Sequence, residues 1–155
     1  MAHARRMFYD ALENDTDRAD YALQQFGRLY NIERKAKHLL LNAADTMELR
    51  QKEALPVMQN LEQWMKEAYT KVPPKSAIAK ALQYSISKWK KLTIYTTNGM
   101  LNIDNNPVEN NIRPVAIGRK NYLFAGSHEA AQRSAMLYSI MGTCKLHNVN
   151  PLCMA

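Results

Sequence analysis

The chain has 155 residues, of which 46% are hydrophobic and 23% charged, so it can bury the core of one domain or slightly more. Its formal net charge of +7 favours a polyanionic partner, although many small basic proteins have none. No apolar run approaches the roughly 20 residues needed to cross a bilayer, and the two cysteines lack the spacing of a zinc site. These features exclude a membrane-spanning or disulfide-built protein and predict a cytoplasmic one.

Apolar residues recur with helical spacing through most of the chain, so the predicted fold class is mainly α. The expected helices are 2–14, 16–40 with Thr16 as its cap, 46–72 with a kink or boundary at Pro56, and 76–97. Pro73 and Pro74 end the third of these helices. Asn98-Gly99 is the clearest turn signal in the chain.

A lysine-rich surface is expected on the fourth helix. From Ala68 to Ile103 there is no acidic residue, whereas six lysines fall in that span: Lys71, Lys75, Lys80, Lys88, Lys90 and Lys91. On a helical wheel Lys80, Lys90 and Lys91 lie away from the apolar face, so they form a solvated or a DNA-facing surface. The solvated interpretation is favoured for any single lysine, and the pattern alone does not decide between the two.

One run near the C-terminal end concentrates the polar chemistry of the chain. Residues 104–114 read Asp-Asn-Asn-Pro-Val-Glu-Asn-Asn-Ile-Arg-Pro, and residues 118–127 read Gly-Arg-Lys-Asn-Tyr-Leu-Phe-Ala-Gly-Ser. Asp104 or Asn105 is suited to cap a helix, which places Glu109 in the first turn, near the positive end of the helix dipole. Arg113 then follows Glu109 by four residues and lies on the same side.

Two interpretations of this run remain open on local pattern alone. It is either a capped helix with an ordinary Glu–Arg pair, or a carboxylate held among cations, as metal-dependent phosphoryl chemistry requires. Pro114 is expected to end the helix soon after it starts. Residues 121–124 alternate enough to predict a short strand or hairpin, and a last helix is expected over 129–147 with Ala131, Ala135, Leu137, Tyr138 and Met141 in its core.

The run resembles the C-terminal signature of the insertion sequence 66 family of bacterial DDE transposases. In that signature Asp-Asn-Asn-x-x-Glu leads to Arg-Pro and then to Gly-Arg-Lys-Asn. Further stretches match the same family in the same order: His-Ala-Arg-Arg at 3–6, Gly-Arg-Leu-Tyr at 27–30 with Ile-Glu-Arg at 32–34, and Tyr-Ser-Ile at 138–140 with Asn-Val-Asn-Pro at 148–151. The resemblance therefore extends over nearly the whole chain.

The resemblance implies DNA transposition by metal-dependent strand cleavage and transfer. Such transposases are similar in fold to ribonuclease H and retroviral integrases, and three carboxylates hold two divalent ions, Mg²⁺ or Mn²⁺. Glu109 matches the third carboxylate. The two catalytic aspartates would lie upstream of the stretch that begins at residue 3. We therefore expect this chain to be a transposase fragment that is inactive alone and binds no metal by itself.

Further expectations follow from the same resemblance. Glu109 would be the catalytic residue and metal ligand, while Arg113, Arg119 and Lys120 would contact DNA phosphates, with a weaker version of that role for Arg5 and Arg6. Residues 1–98 would form a helical insertion subdomain. Residues 99–155 would supply the C-terminal helices and a short hairpin of an incomplete ribonuclease H-like catalytic domain.

The expected partners are DNA, as transposon ends and target, and a second copy of the chain in a homo-oligomer, in the bacterial cytoplasm. The Glu109 segment, without its supporting sheet, is expected to repack on the other helices or to be mobile. The alternative function is a non-catalytic helical DNA-binding or dimerisation module. If Met1 is the true start, the product cannot assemble the three carboxylates. A purely structural helical module would show no salt-dependent affinity for DNA.

Overall fold

The structure is a computed structural model that describes residues 1–122 and 124–151, and these residues form helices and turns without strands. The helices are α1 (Ala2–Tyr9), α2 (Thr16–His38), α3 (Ala43–Leu49), α4 (Leu55–Tyr69), α5 (Ala77–Thr93), α6 (Asn106–Tyr122) and α7 (His128–Leu146). A π-helical turn spans Arg50–Ala54, and a 3-10 turn spans Ile94–Thr97. The chain divides into an N-terminal unit, Met1–Asp104, and a C-terminal unit, Asn105–Ala155. The mainly α prediction is confirmed.

Short polar side chains begin four of the helices. Asp15 accepts from the backbone N–H of Arg18, at 3.1 Å, so the cap of α2 is Asp15 rather than the predicted Thr16. Asn42 begins α3 in the same way, and Ser76 and Ser127 begin α5 and α7. Each such cap pairs an amide that the helix itself leaves unpaired, and removing one typically costs about 1 kcal/mol.

Pro56 marks the boundary between two helical segments, as predicted. It lies at the start of α4, directly after the π-helical turn, in which the Leu55 N–H donates to the carbonyl of Arg50. Because proline has no N–H and its ring crowds the preceding turn, it is tolerated best near a helix start. The π-helical turn therefore leads into α4 with Pro56 in its first turn, where the missing N–H costs least.

The core of the N-terminal unit is built from α1, α2, α4 and α5. The largest fully buried apolar side chains are Phe8, Phe26, Leu29, Met58, Leu61, Met65, Ile78 and Leu82. Phe8 and Phe26 bring their rings within 5.8 Å, and Tyr21 packs on Trp64 at 4.5 Å. Burying each large apolar side chain contributes roughly 1.5–3 kcal/mol, so this unit has a core of its own.

The C-terminal unit corrects two expectations. Pro114 does not end α6, which continues to Tyr122. A proline within a helix removes one hydrogen bond, and α6 continues through both Pro114 and Gly118. Gly126, which has a positive φ of 81°, lies between α6 and α7. The strand or hairpin predicted for 121–124 is therefore wrong for Asn121 and Tyr122, which are helical, while Leu123 lies outside the described residues.

The predicted core of α7 is also largely wrong. Ala131, Ala135, Leu137 and Met141 are exposed, and Tyr138 is half-buried. Among the described residues of α7, only Cys144 is buried. The apolar residues of this helix occur on all sides rather than along one stripe, so packing against a single neighbouring helix covers few of them.

Candidate functional site

The candidate site begins where α6 begins. Asn105 immediately precedes the helix, and its carbonyl accepts from the N–H of Glu109 at 3.0 Å. Glu109 is exposed in the first turn. Amide groups of a first turn carry a partial positive charge, which favours a carboxylate at this position. The sequence expectation that Glu109 lies at the start of a helix is met.

The predicted cations follow Glu109 along α6, and all of them are exposed. Arg113 lies one turn further along, and Arg119 and Lys120 lie in the last turn. At about 1.5 Å per residue, Arg113 and Lys120 are separated by about 10 Å along the axis and lie on one side of the helix. Arg119 is rotated by about 100° from Lys120. The helix therefore brings Glu109, Arg113 and Lys120 to one side and places Arg119 on another.

Two grooves between α6 and α7 reflect this division. The larger, of about 750 Å³, is lined by Arg119 together with apolar residues that include Ile112, Val115 and Phe124. The smaller is lined by Arg113, Pro114 and Lys145. Arg113 and Arg119 thus face different grooves of the same helical pair. This arrangement suits contact with an extended partner better than binding of a small molecule in one enclosed pocket.

Asp104, the first residue of the signature run, is held within the N-terminal unit. The hydroxyl of Tyr30 donates to Oδ2 of Asp104 at 3.2 Å. Burial, reinforced by the Asp104 charge and the hydrogen bond, raises the pKa of Tyr30 from 10.0 to about 12, while the charge of Arg5 opposes this rise. Three separate stretches that resemble the transposase family, those of Arg5, Tyr30 and Asp104, therefore influence one another here.

Arg50 is a residue that sequence reasoning missed. Its side chain is 3% exposed, and its Nε and Nη2 donate to the two carboxylate oxygens of Glu33 at 2.9 and 2.6 Å. Nη1 donates to the carbonyls of Tyr95 and Asn98, each at 2.9 Å. The guanidinium also lies 5.1 Å from the centre of the Tyr95 ring. A buried charge is tolerated when its hydrogen bonds are made, and here four are.

This network fixes the turn that follows α5. The amide of Gln51 adds a third hydrogen bond to the same segment, from Nε2 to the carbonyl of Thr96 at 2.7 Å. Glu33 belongs to the Ile-Glu-Arg stretch that resembles the family, and this was the only sequence signal that pointed to the network. Arg50 and Gln51, in the π-helical turn, therefore hold residues 95–98 in place shortly before the signature run begins.

The remaining predicted cations lie on α1. Arg5 and Arg6 are exposed, and Arg6 has its Nε 3.9 Å from Oδ2 of Asp10. Such a long, exposed pair contributes little to stability and leaves the arginine accessible to other anions. Their assignment to DNA binding stays a prediction.

The metal ions that the resemblance implies need several carboxylate ligands. In residues 1–122 and 124–151, His, Cys, Asp and Glu form no group of three or more that could hold a metal ion. Glu109 offers one carboxylate, and Asp104 is bonded to Tyr30. The described residues therefore do not make up a two-metal site.

Comparison with known proteins identifies the family. The sequence profile described as Transposase IS66 family matches residues 1–133, a range that includes Glu109, Arg113, Arg119 and Lys120. Two curated relatives come from Sinorhizobium fredii and are named "Uncharacterized protein y4hP" and "Uncharacterized protein y4qI". They are 28% and 36% identical to this chain over 97% of its length.

The chain spans 29% of the length of the first relative and 28% of the second. No solved structure gives a significant match. Among the described helices, none combines the length and the apolarity that crossing a membrane requires. Because the family profile covers most of the sequence, including the whole signature run, the chain belongs to the IS66 family of transposases.

Proposed function

We propose that this chain is the glutamate-bearing part of a DDE transposase that cuts and joins DNA. The observation that carries the proposal is the signature run itself, in which Glu109 is exposed in the first turn of α6 and followed by exposed cations. Family membership supports it, and so does the fact that the relatives are more than three times as long. The remaining carboxylates of the triad would come from residues outside this chain.

In the intact enzyme, Glu109 would hold one of the divalent ions, Mg²⁺ or Mn²⁺, within a ribonuclease H-like catalytic domain. The ions supply the activation of the attacking hydroxyl when they are bound. Arg113, Arg119 and Lys120 would bind backbone phosphates near the scissile bond. This task requires cations and no contact with base edges, so these residues position the DNA rather than select its sequence.

A second candidate function is a dimerisation module, and the exposed apolar residues of α6 and α7 favour it. Ile112 and Ile117 are about half exposed, as are Leu137, Ile140 and Met141. Monomeric proteins seldom expose so many large apolar side chains on one helical pair, because covering them is favourable. This function is compatible with the first, because an enzyme can also be a symmetric assembly of identical chains.

DNA binding by the chain is tested with a fluorescently labelled duplex and anisotropy over about 50–200 mM salt. The expected result is an affinity that falls steeply with salt and decreases further in the double variant Arg119→Ala with Lys120→Ala. The matched control changes Lys35 and Lys66, which are paired with Glu53 and Glu62 at 2.5 and 2.7 Å, to alanine. Absence of binding by the wild-type chain at low salt would reject the phosphate-contact proposal.

The catalytic role is tested in a full-length family transposase that contains this segment. Glu109→Gln should abolish metal-dependent strand transfer because it removes a charged ligand while keeping the size of the side chain. Glu129→Gln is the matched control, since Glu129 is likewise exposed in the first turn of its helix. Equal activity of the two variants would contradict the assignment of Glu109.

A further inference from the structure

The exposed face of α5 carries four lysines and no acid. Lys80, Lys88, Lys90 and Lys91, which we call the lysine face, are all exposed. At 100° per residue they fall within an arc of about 160°, opposite the buried residues Ile78, Leu82 and Trp89. The core packing of the N-terminal unit therefore fixes the direction in which this face points, and it points to solvent.

The charge of the lysine face is not neutralised by neighbours. In the described part of the chain none of its four lysines forms a salt bridge, and the sequence has no acidic residue between Glu67 and Asp104. Other lysines of the same unit are paired: Lys35 with Glu53, and Lys66 with Glu62. Unpaired like charges three residues apart, such as Lys88 and Lys91, repel each other and destabilise a helix slightly. A polyanion bound along the lysine face would offset this repulsion between the lysines.

We propose that the lysine face is a second DNA-binding surface, separate from the signature run, that holds the phosphate backbone without reading sequence. Lys80 and Lys91 are about 16 Å apart along the helix axis. One strand of B-DNA carries a phosphate about every 3.4 Å of axis, so this length faces several successive phosphates. Lysine is a point charge that binds phosphate without the fixed, two-pronged geometry of arginine, which suits positioning rather than recognition.

DNA fits this face better than a membrane or an acidic protein segment. Helices that lie on anionic lipids place large exposed apolar residues beside their cations, whereas the large apolar residues of α5 are buried in the core or packed against it. An acidic protein partner would need a matching row of carboxylates, while a phosphate backbone offers regularly spaced charge without further design. The choice of DNA as the polyanion rests on the proposed function.

The test uses the full chain and changes all four lysines to glutamine. The slope of log K against log salt should fall in magnitude by about 3 to 4, because each lost phosphate contact removes about 0.9. Affinity at about 100 mM salt should fall at least tenfold. In the control variant, Lys35→Gln with Lys66→Gln, the slope should differ from the wild-type slope by less than about 0.9, the contribution of one phosphate contact. Circular dichroism should show that the quadruple variant keeps its helices, since glutamine is a good helix former.

A second measurement locates the contact directly. Acetylation of lysines by a small reagent, read by mass spectrometry, should be slowed by duplex DNA at the four positions of the lysine face and unchanged at Lys35 and Lys66. Duplexes of unrelated sequence should compete equally.

The outcomes separate this inference from the proposed function. If the quadruple variant keeps the wild-type slope while the variant of Arg119 and Lys120 loses affinity, the lysine face is rejected and the proposed function stands. If DNA leaves the four lysines fully reactive, or if anionic vesicles protect them and DNA does not, the inference is also rejected. If the wild-type chain binds no DNA at low salt, both the lysine face and the phosphate contacts of Arg113, Arg119 and Lys120 are rejected, while the assignment of Glu109 is tested separately by strand transfer.

Discussion

At the scale of single residues, Arg50 carries the largest energetic consequence. Removing it would leave the largely buried carboxylate of Glu33, whose side chain is 13% exposed, without its partner, and the carbonyls of Tyr95 and Asn98 without their donor. Breaking a buried pair from one side typically costs about 3–5 kcal/mol. Arg50→Ala should therefore shift the urea unfolding midpoint strongly. Lys66→Ala, which breaks an exposed pair, should cost less than about 1 kcal/mol. A similar effect of the two substitutions would show that the buried network contributes little.

Tyr30 supplies the pH dependence that belongs to this scale. Its pKa is about 12 in the folded chain and 10.0 ordinarily, so the unfolded chain loses this proton first as pH rises. The stability that Tyr30 contributes is therefore complete below pH 10 and lost between pH 10 and about 12. In an ultraviolet titration of phenolate, Tyr30→Phe should remove a tyrosine that ionises late. Loss of an early-ionising tyrosine instead would contradict the hydrogen bond to Asp104.

At the scale of the elements, the turn after α5 depends on a close approach of two backbones. A Cβ on Gly99 would lie 1.8 Å from the carbonyl oxygen of Ala43, which no small adjustment relieves. Gly99→Ala should therefore destabilise the N-terminal unit by more than about 1 kcal/mol. Gly27→Ala is the matched control, because its Cβ would meet open space within α2. That control should stabilise the chain by about 0.5–1 kcal/mol. Thermal unfolding of both variants checks the pair.

Most helix limits were predictable from local signals, and the exceptions have physical reasons. Each of these signals acts through its own local chemistry and marks a boundary as expected. The Ser76 hydroxyl accepts from the N–H of Ala79, Pro56 has no N–H, and the carbonyl of Asn98 accepts from the N–H of Leu101. The prediction that Pro114 ends α6 was wrong, because proline disfavours a helix without forbidding it. Here the helix continues on both sides of Pro114 despite the lost hydrogen bond. The partner of Glu33 was not predictable, since the sequence offers many cations and does not show which one the fold brings near α2.

The candidate site was predictable in position more than in arrangement. The sequence places Glu109 at a helix start, and the structure agrees. Arg113 and Arg119 face different grooves because α6 continues past Pro114. This arrangement was not predictable, since Pro114 was expected to end the helix. The roles assigned to Glu109 and the cations, and the domain limits at 98 and 99, stay predictions.

At the scale of the whole molecule, the two units differ in how much apolar surface they bury. The N-terminal unit buries or half-buries most of its large apolar side chains, whereas many of those on α6 and α7 are exposed. Local opening costs less where fewer apolar contacts must be broken. Amide hydrogens of α6 and α7 should therefore exchange with solvent at least tenfold faster than those of α2 and α4. Equal protection, measured by mass spectrometry on the isolated chain, would show that these helices are covered, for example in a dimer.

The burial of Cys144 has a practical consequence. Its thiol is almost fully shielded on a helix whose other described residues are accessible to solvent in varying degrees. A thiol reagent can reach it only when the structure around it loosens. With Cys153 replaced by serine, the rate of modification of Cys144 would report how often that loosening occurs. Addition of DNA would then slow the modification if the DNA binds α7 and reduces that loosening.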